Sequence, residues 1–239
     1  MKPYLSIVIP AYNEARRLPR TLDFILAFLR KQPYEAEIII SDDGSKDRTI
    51  RLAQDILRKC AHQILTVPKN KGKGHAVRKG MLAARGQYLL ISDADLSTPI
   101  EEVRRFLKYL EAGEDIVIGS RALEDSRVEI HQGVLRETMG RIYNWIARVL
   151  SFHGIKDSQC GFKCFRAEVA KKIFKLQKIN GFSFDAETVF LAQKLGYKIR
   201  EEPVIWRNSA QSRVRLIKDP LAMFFDLFKI RWMHRNVKP

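Results

Sequence analysis

Asp93 and Asp95 stand one residue apart in Ser92-Asp93-Ala94-Asp95. In an extended segment alternate side chains point the same way, so the two carboxylates would converge and offer hard oxygen ligands to one divalent cation, Mg2+ or Mn2+. Such ions, held by few protein groups, keep their remaining positions for water and phosphate oxygens. Two more polar clusters accompany this pair, Pro10-Ala11-Tyr12-Asn13-Glu14 and Ser41-Asp42-Asp43-Gly44-Ser45. A further segment, Pro68 to His75, sets Lys71, Gly72, Lys73 and Gly74 in a row. Glycine there allows close backbone approach to a ligand, and lysine supplies positive charge at a helix N-terminus. It is not a P-loop, because the GxxxxGK[ST] spacing is missing. Singly, an acidic residue after a strand closes a turn or caps the next helix, and a basic turn is merely solvated. Their joint meaning depends on the elements that carry them.

From residue 4 to about 120 short β-branched runs alternate with stretches of helical period, the pattern of a parallel sheet covered by helices on both faces. Leu5 to Ile9, Glu37 to Ile40, Gln63 to Val67, Tyr88 to Ile91 and Asp115 to Ile118 read as strands. Leu18, Leu22, Ile25 and Leu29 form one helical stripe after the first, and Ile50, Ala53 and Leu57 another after the second. Thr98-Pro99-Ile100-Glu101 predicts an N-cap, a proline at the first helical position and a capping box. Beyond residue 120 the sequence predicts a polar loop from Ala122 to Gly133, a helix from Val134 to Phe152 and a turn region from Asp157 to Phe165. A helix near Asp185 to Leu195 and a short strand near Ile199 to Ile205 follow. In a parallel sheet the carboxyl ends of the strands share one edge, where ligands bind. The three acidic clusters and the lysine-glycine segment all follow strands, so they fall on that edge together.

Lys and Arg number 43 against 27 Asp and Glu, for a net charge of +16, which implies anionic partners such as phosphates or lipid head groups. No nucleic-acid-reading motif accompanies the charge, and paired acids at the sheet edge would repel a phosphate backbone. Cys60, Cys160 and Cys164 are too few for a disulfide framework and lack zinc spacing, which fits a reducing, cytoplasmic setting. The N-terminus reads as a strand instead of a signal peptide. The longest apolar run, Phe24 to Leu29, falls far short of the roughly 20 residues of a spanning helix. Two helices nevertheless carry broad apolar faces with basic flanks, as interfacial helices do. In the last one Ile217, Leu221, Phe224, Phe225, Phe228 and Trp232 form a stripe after Asp219-Pro220, with Met223, Leu227 and Ile230 as a second row beside it. The earlier one carries Leu135, Met139, Ile142, Ile146 and Val149 with Trp145, Arg136, Arg141 and Arg148.

Pro10 to Glu14, Asp42-Asp43-Gly44-Ser45, Gly72-Lys73-Gly74, Asp93-Ala94-Asp95 and Gly119-Ser120-Arg121 resemble, in order and spacing, the family 2 glycosyltransferases of the GT-A fold. Asp157-Ser158-Gln159-Cys160-Gly161-Phe162-Lys163 and Phe184-Asp185-Ala186-Glu187 are similar to the polyprenyl-phosphate sugar synthases, especially the dolichyl-phosphate glucosyltransferase branch beside the mannose synthases. The resemblance implies an α/β, Rossmann-like, mainly parallel sheet flanked by helices, with C-terminal interfacial helices and no transmembrane segment. It implies one domain over 1–239: a nucleotide-sugar half at 1–120, an acceptor half at 121–215 and an amphipathic membrane-associating tail at 216–239. Pro10, Tyr12, Glu14, Asp42, Asp43, Lys71, Gly72, Lys73 and Asp93 are expected to bind the donor, and Asp93 and Asp95 the Mg2+ or Mn2+. The mannose synthases often carry Gln as a further metal ligand where Ser97 stands here, which weakens a mannose assignment.

The expected reaction moves a hexose, glucose from UDP-glucose before mannose from GDP-mannose, onto polyprenyl or dolichyl phosphate at the cytoplasmic face of a membrane. A polysaccharide or protein acceptor is the alternative. A phosphomonoester with a second pKa of about 6 is already largely a dianion, so the site needs positive charge more than a strong base. Arg121 and Arg136 are the candidates to grip that phosphate through paired bonds. Asp157 is expected to orient the arginines or act as base, with Asp185 and Glu187 also at the acceptor. Asp95, Arg121 and Asp157 are the expected catalytic set, and in-line attack inverts the anomeric centre.

Overall fold

The computed structural model describes residues 2–130, 134–207 and 218–238. Its spine is a seven-stranded sheet. The first half supplies β1 (Leu5–Ala11), β2 (Ala36–Asp42), β3 (His62–Thr66), β4 (Tyr88–Ile91) and β5 (Ile116–Ser120), with α1 (Leu18–Leu29), α2 (Thr49–Leu57), α3 (Lys73–Ala83) and α4 (Val103–Glu111) between them. Alternation along these strands is apolar on both sides. Ile7, Ile9, Ile38, Ile40 and Leu90 pack into one core with Leu22, Ala53 and Phe106. Val8, Ile39, Leu89 and Ile91 pack into the other with Val77 and Met81. A strand buried on both faces must be covered by helices on both, and that is how parallel sheets are stabilised.

The second half adds β6 (Arg127–Ile130), α5 (Val134–Leu150), β7 (Lys163–Arg166), α6 (Ala167–Leu176), α7 (Phe184–Lys194), β8 (Ile199–Pro203), β9 (Ile205–Arg207) and α8 (Lys218–Met233). The large sheet runs β3-β2-β1-β4-β7-β5-β8, and β6 and β9 form a separate pair. All pairings in the large sheet are parallel except those of β7, which lies antiparallel between β4 and β5. The strand order therefore reverses beside β1 and β4, and the ends of those strands face an open crevice.

Several expectations need correction. The turn region at Asp157 to Phe165 runs into β7, and α6 follows it. The polar loop at Ala122 to Gly133 contains β6, and the predicted strand near Ile199 to Ile205 is two strands broken at Val204, each in a different sheet. Thr98 and Pro99 do not build a capping box. Pro99 is extended (φ −55°, ψ 140°) ahead of a 3-10 turn at Ile100–Glu102, and no side chain caps that turn.

The two amphipathic helices α5 and α8 pack on each other, and Arg231 of α8 donates to the Leu150 carbonyl at the end of α5. Their orientation separates the two apolar rows. Leu227 and Ile230 are the buried residues of α8, while Leu221, Phe225, Phe228 and Trp232 are exposed, the last with 67% of its surface in solvent. On α5, Tyr143 and Ala147 face inward while Ile142 and Trp145 face outward. Both helices thus supply the core from one side and leave a second apolar side uncovered. Ile217 lies outside the described residues.

Candidate active site

The loops at the sheet edge are laced to one another by short hydrogen bonds. After β1 the chain turns at Asn13, whose φ of +50° is left-handed. The Asn13 amide donates to Ser45 Oγ at 2.7 Å, the Lys46 amide donates to Asn13 Oδ1 at 2.7 Å, and the Glu14 amide donates to Thr49 Oγ1 at 2.7 Å. After β2, Asp42 Oδ2 accepts the amides of Gly44 and Ser45, both at 3.0 Å. Its Oδ1 is buried and has no hydrogen-bond partner among the described residues, an acceptor that a ligand's N–H or O–H would satisfy. Asp43 accepts the amide of Lys71 at 3.0 Å and that of Gly72 at 2.7 Å, and so ties the second acidic cluster to the lysine-glycine segment. Gly72 has φ +113°, where a side chain would be strained. Pro10 is buried within β1, and Tyr12 is half-buried at its end.

Lys73 opens α3 and reaches back to Asp93, Nζ to Oδ1 2.7 Å. Burial works to lower the Lys73 pKa, but the charges of Asp93 and Asp185 outweigh it and hold the ammonium well above its usual range. Asp95 Oδ1 accepts the Ser97 amide at 3.1 Å and the Ser97 hydroxyl at 2.8 Å. Its Oδ2 meets Arg17 Nη1 at 3.3 Å, and Arg17 is itself fixed by Glu14 through bonds of 2.7 and 2.6 Å. Burial, then repulsion from Asp93, raises the Asp95 carboxyl in spite of these donors. The two acids sit in a turn and not in an extended segment, with the left-handed Leu96 (φ +49°) closing it. The turn, and not strand pleating, brings their charges together.

Two neighbouring carboxylates, with the charge of Asp93 acting to raise the Asp95 carboxyl, are a donor set suited to a hard divalent cation. No group of three or more metal-ligating side chains assembles among the described residues. Ser97, at the position where a third ligand was sought, serves instead to orient Asp95.

On the other side of the crevice Arg121 follows β5 and forms a forked pair with Asp157. Nε lies 2.7 Å from Oδ2 and Nη2 lies 2.9 Å from Oδ1, while the Arg121 amide also donates to Oδ2 at 3.0 Å. Asn144 and the Gln159 amide complete the carboxylate's partners. Burial pushes the Asp157 carboxyl up, but the Arg121 charge and hydrogen bonds override it and bring the pKa down to about 2. A carboxylate so fully engaged orients its arginine; it has neither the free lone pair nor the basicity of a general base. The Arg121 guanidinium lies 5.4 Å from the ring centre of Trp206 and keeps 28% of its side chain exposed. Trp206, Asp93, Ser92, Ser97 and Gly161 line one small pocket, so the Arg121 side and the acidic side meet there.

Asp185 is buried and ion-paired with Lys163, which is itself fully buried and also bonded to the Cys160 carbonyl at 2.6 Å. Burial raises the Asp185 carboxyl against the pull of Lys163 and Lys73. Glu187 is not brought to the site. It is completely buried, and its oxygens accept from Lys178, Ile179 and His234. Residues i and i+2 of a helix point to different sides, so the presence of Asp185 at the crevice sends Glu187 away from it. The side chain of Arg136 lies outside the described residues.

Arg17, Lys163, Gly161 and Trp206 lie at the site, although the sequence alone assigns none of them a role there. Gly161 stands in the Asp157 to Lys163 segment, and the reason for a glycine there is spatial. A Cβ there would lie 2.0 Å from Asp93 Oδ2. Gly161→Ala should therefore swing the Asp93 carboxylate away from Lys73 while the backbone stays in place. A displacement of that size in a reacting site lowers turnover about 100-fold, and little change in melting temperature is expected; paired kinetic and thermal measurements check this.

A neighbouring acidic pair, a lysine-headed helix beside it and a clamped arginine across a crevice in a mainly parallel sheet are an arrangement suited to an anionic, phosphate-bearing ligand. The chain matches the model of Glycosyl transferase family 2 over residues 6–174 and belongs to that family. Its relatives include a dolichyl-phosphate beta-glucosyltransferase of Dictyostelium discoideum, 37% identical over 97% of this chain and 75% of that protein. The human protein of the same name is 33% identical over 95% of this chain and 74% of its own length. Among solved structures, glucosyl-3-phosphoglycerate synthase from Mycobacterium tuberculosis in complex with uridine diphosphate superposes with a TM-score of 0.70 at 20% identity, covering 99% of this chain and 81% of that one. Mannosyl-3-phosphoglycerate synthase from Rubrobacter xylanophilus also gives 0.70, at 17% identity over 98% and 74%. These likenesses establish the GT-A fold. No helix of the described residues is long and apolar enough to cross a membrane.

Proposed function

We propose that this chain is an inverting glucosyltransferase that moves glucose from UDP-glucose to the phosphate of dolichyl or another polyprenyl phosphate, at the cytoplasmic face of a membrane and with Mg2+ or Mn2+. The observation that carries the reading is the likeness to dolichyl-phosphate beta-glucosyltransferases across 97% of the chain, joined to a site whose paired acids, Lys73 and Arg121 each have a place in that reaction. The division into a donor half at 1–120, an acceptor half at 121–215 and a membrane-associating tail at 216–239 follows from it, all within one domain, since β7 inserts between β4 and β5.

In this mechanism the Asn13, Asp42 and Asp43 loops hold the nucleoside, and Asp42 Oδ1, with no hydrogen-bond partner among the described residues, accepts a hydrogen bond from its N–H or O–H. Asp93 and Asp95 would hold the divalent ion. Bound there, the ion supplies Lewis-acid neutralisation of the leaving diphosphate. Lys73 adds charge at the N-terminus of α3, where the helix dipole and the amides of the Gly72–Gly74 segment also favour anions. Across the crevice the guanidinium of Arg121, held by Asp157 and Trp206, presents the acceptor phosphate for in-line attack. Because that phosphate is already anionic, no side chain need remove a proton from it. The direct test offers radiolabelled UDP-glucose or GDP-mannose with dolichyl phosphate and Mn2+. Glucose entering the organic phase supports the reading; label entering only from GDP-mannose, or transfer that ignores the lipid phosphate, contradicts it.

The membrane reading is supported by the outward apolar side of α5 and α8 on a chain of net charge +16. Exposed aromatic side chains flanked by basic residues sit at the boundary between head groups and acyl chains. Phe225 and Trp232 are each 67% exposed, and burying an aromatic side chain is worth about 1.5–3 kcal/mol. The double variant Phe225→Ser, Trp232→Ser should weaken partition onto vesicles containing anionic lipid by about 100-fold or more, read by sedimentation. Unchanged partition would remove this surface from the account.

A further inference from the structure

The C-terminal helix ends inside the protein. His234, one residue beyond α8, is 1% exposed, and Glu187 of α7 is fully buried. The imidazole Nε2–H donates to Glu187 Oε1 at 2.6 Å. The same carboxylate accepts the Lys178 amide at 2.8 Å and the Ile179 amide at 2.9 Å. Two oxygens therefore serve three N–H groups, in a place that water does not reach.

Those amides belong to a segment without regular secondary structure, 177–180, so its shape rests on bonds of this kind. The lysine-glycine loop is seated directly against it. The His75 amide donates to the Asn180 carbonyl at 3.3 Å, and the Gln177 side-chain amide donates to both the Gly74 carbonyl at 3.0 Å and the Ile179 carbonyl at 2.8 Å. The fit leaves no spare room. A Cβ at residue 72 would lie 2.3 Å from the Asn180 oxygen, and one at residue 74 would lie 2.5 Å from the Ile179 oxygen. Between these glycines stands Lys73, 2.7 Å from Asp93. A continuous set of contacts thus runs from the end of α8, through Glu187 and residues 178–180, to the lysine at the donor site.

We propose that Glu187 and His234 are positioning residues for the donor loop, holding 178–180 in the shape that seats Gly72 and Gly74 and so keeps Lys73 beside Asp93. They touch no substrate. They act through the loop, and they make donor affinity depend on how the end of α8 is anchored. This rests on the reading of Lys73 and Asp93 as part of the nucleotide-sugar site. Glutamine is a demanding replacement at 187, because it offers one oxygen and turns an NH2 towards a backbone N–H. At 234, glutamine preserves a donor that alanine lacks.

The test compares wild type with His234→Ala, His234→Gln and Glu187→Gln by hydrogen exchange of backbone amides without ligand, UDP affinity with Mn2+, and KM for dolichyl phosphate. His234→Ala and Glu187→Gln should exchange faster at 71–76 and bind UDP about tenfold more weakly, with KM for the lipid unchanged. His234→Gln should restore wild-type exchange and affinity. The proposal is overturned if the alanine variant melts earlier and exchanges faster only at 178–180 and in α8, with wild-type exchange at 71–76 and wild-type UDP affinity. If Glu187→Gln does not fold, the alanine and glutamine variants at 234 decide alone. Wild-type protein that binds no UDP would refute the donor-site reading, while exchange at 71–76 would still answer the question of positioning.

Discussion

Asp95→Ala should lower glucose transfer by about 100- to 1,000-fold without lowering the melting temperature. The activity loss follows from the several kcal/mol of charge stabilisation that a correctly held divalent ion contributes, at about 1.4 kcal/mol per factor of ten in rate. The stability expectation comes from the site's own electrostatics. Burial and the neighbouring Asp93 both disfavour the ionised Asp95 carboxylate, so removing it relieves a like-charge contact. Arg17 keeps its two bonds to Glu14 and is not left bare. A group that destabilises the fold yet is indispensable to turnover is what a functional site produces. Kinetics and thermal unfolding on one preparation check both halves; retained activity would remove Asp95 from the metal assignment.

Arg121→Lys should reduce kcat/KM for the lipid phosphate about 100-fold while UDP affinity stays near wild type. Lysine keeps the charge but not the planar fork that engages Asp157 through two parallel bonds and stacks on Trp206. Alanine at this position is a poorer probe, because it strands the buried Asp157 carboxylate, a change that costs about 3–5 kcal/mol. The pair also sets a pH dependence. The Asp157 pKa is about 2 in the folded protein against about 3.9 in an unfolded chain. A depressed folded value contributes stability above the unfolded pKa and loses it as pH falls towards the folded one. The wild type should therefore shed this contribution between about pH 4 and pH 2, and Arg121→Lys should show a shallower loss over the same window in urea titrations. Equal slopes, or a selective loss of UDP binding, would contradict the role given to Arg121.

How much of this was legible in the sequence varied with the range of the interactions involved. The strands β1, β2, β4 and β5 are rich in apolar residues because both faces are covered, and each is visible without knowledge of its partners. β7 is not. It is four residues with a cation at each end, Lys163 and Arg166, and only its antiparallel place between β4 and β5 makes it a strand. For the same reason Lys163 reads as a surface residue, although it is fully buried against Asp185. α6 carried a helical stripe of Val169, Ala170, Ile173 and Phe174, all buried, a signal that was present and passed over.

At the site, residue type found the acids and Arg121, since few other arrangements put such groups after consecutive strands. Glu187 was expected at the acceptor together with Asp185, yet two residues on along the same helix it points away from the crevice, to Lys178, Ile179 and His234. Spacing also left open which of the two apolar rows of α8 meets the core. Hydropathy cannot decide which of two apolar rows meets the core; here the aliphatic Leu227 and Ile230 fill it, and the aromatic row is left outside.

The most direct test of the central claim is a crystal grown with Mn2+ and UDP, with the metal located by its anomalous signal. The account requires the manganese between the Asp93 and Asp95 carboxylates and the diphosphate beside Lys73, across the crevice from Arg121. Manganese bound elsewhere, or a nucleotide lodged away from the turn that carries the two acids, would contradict it.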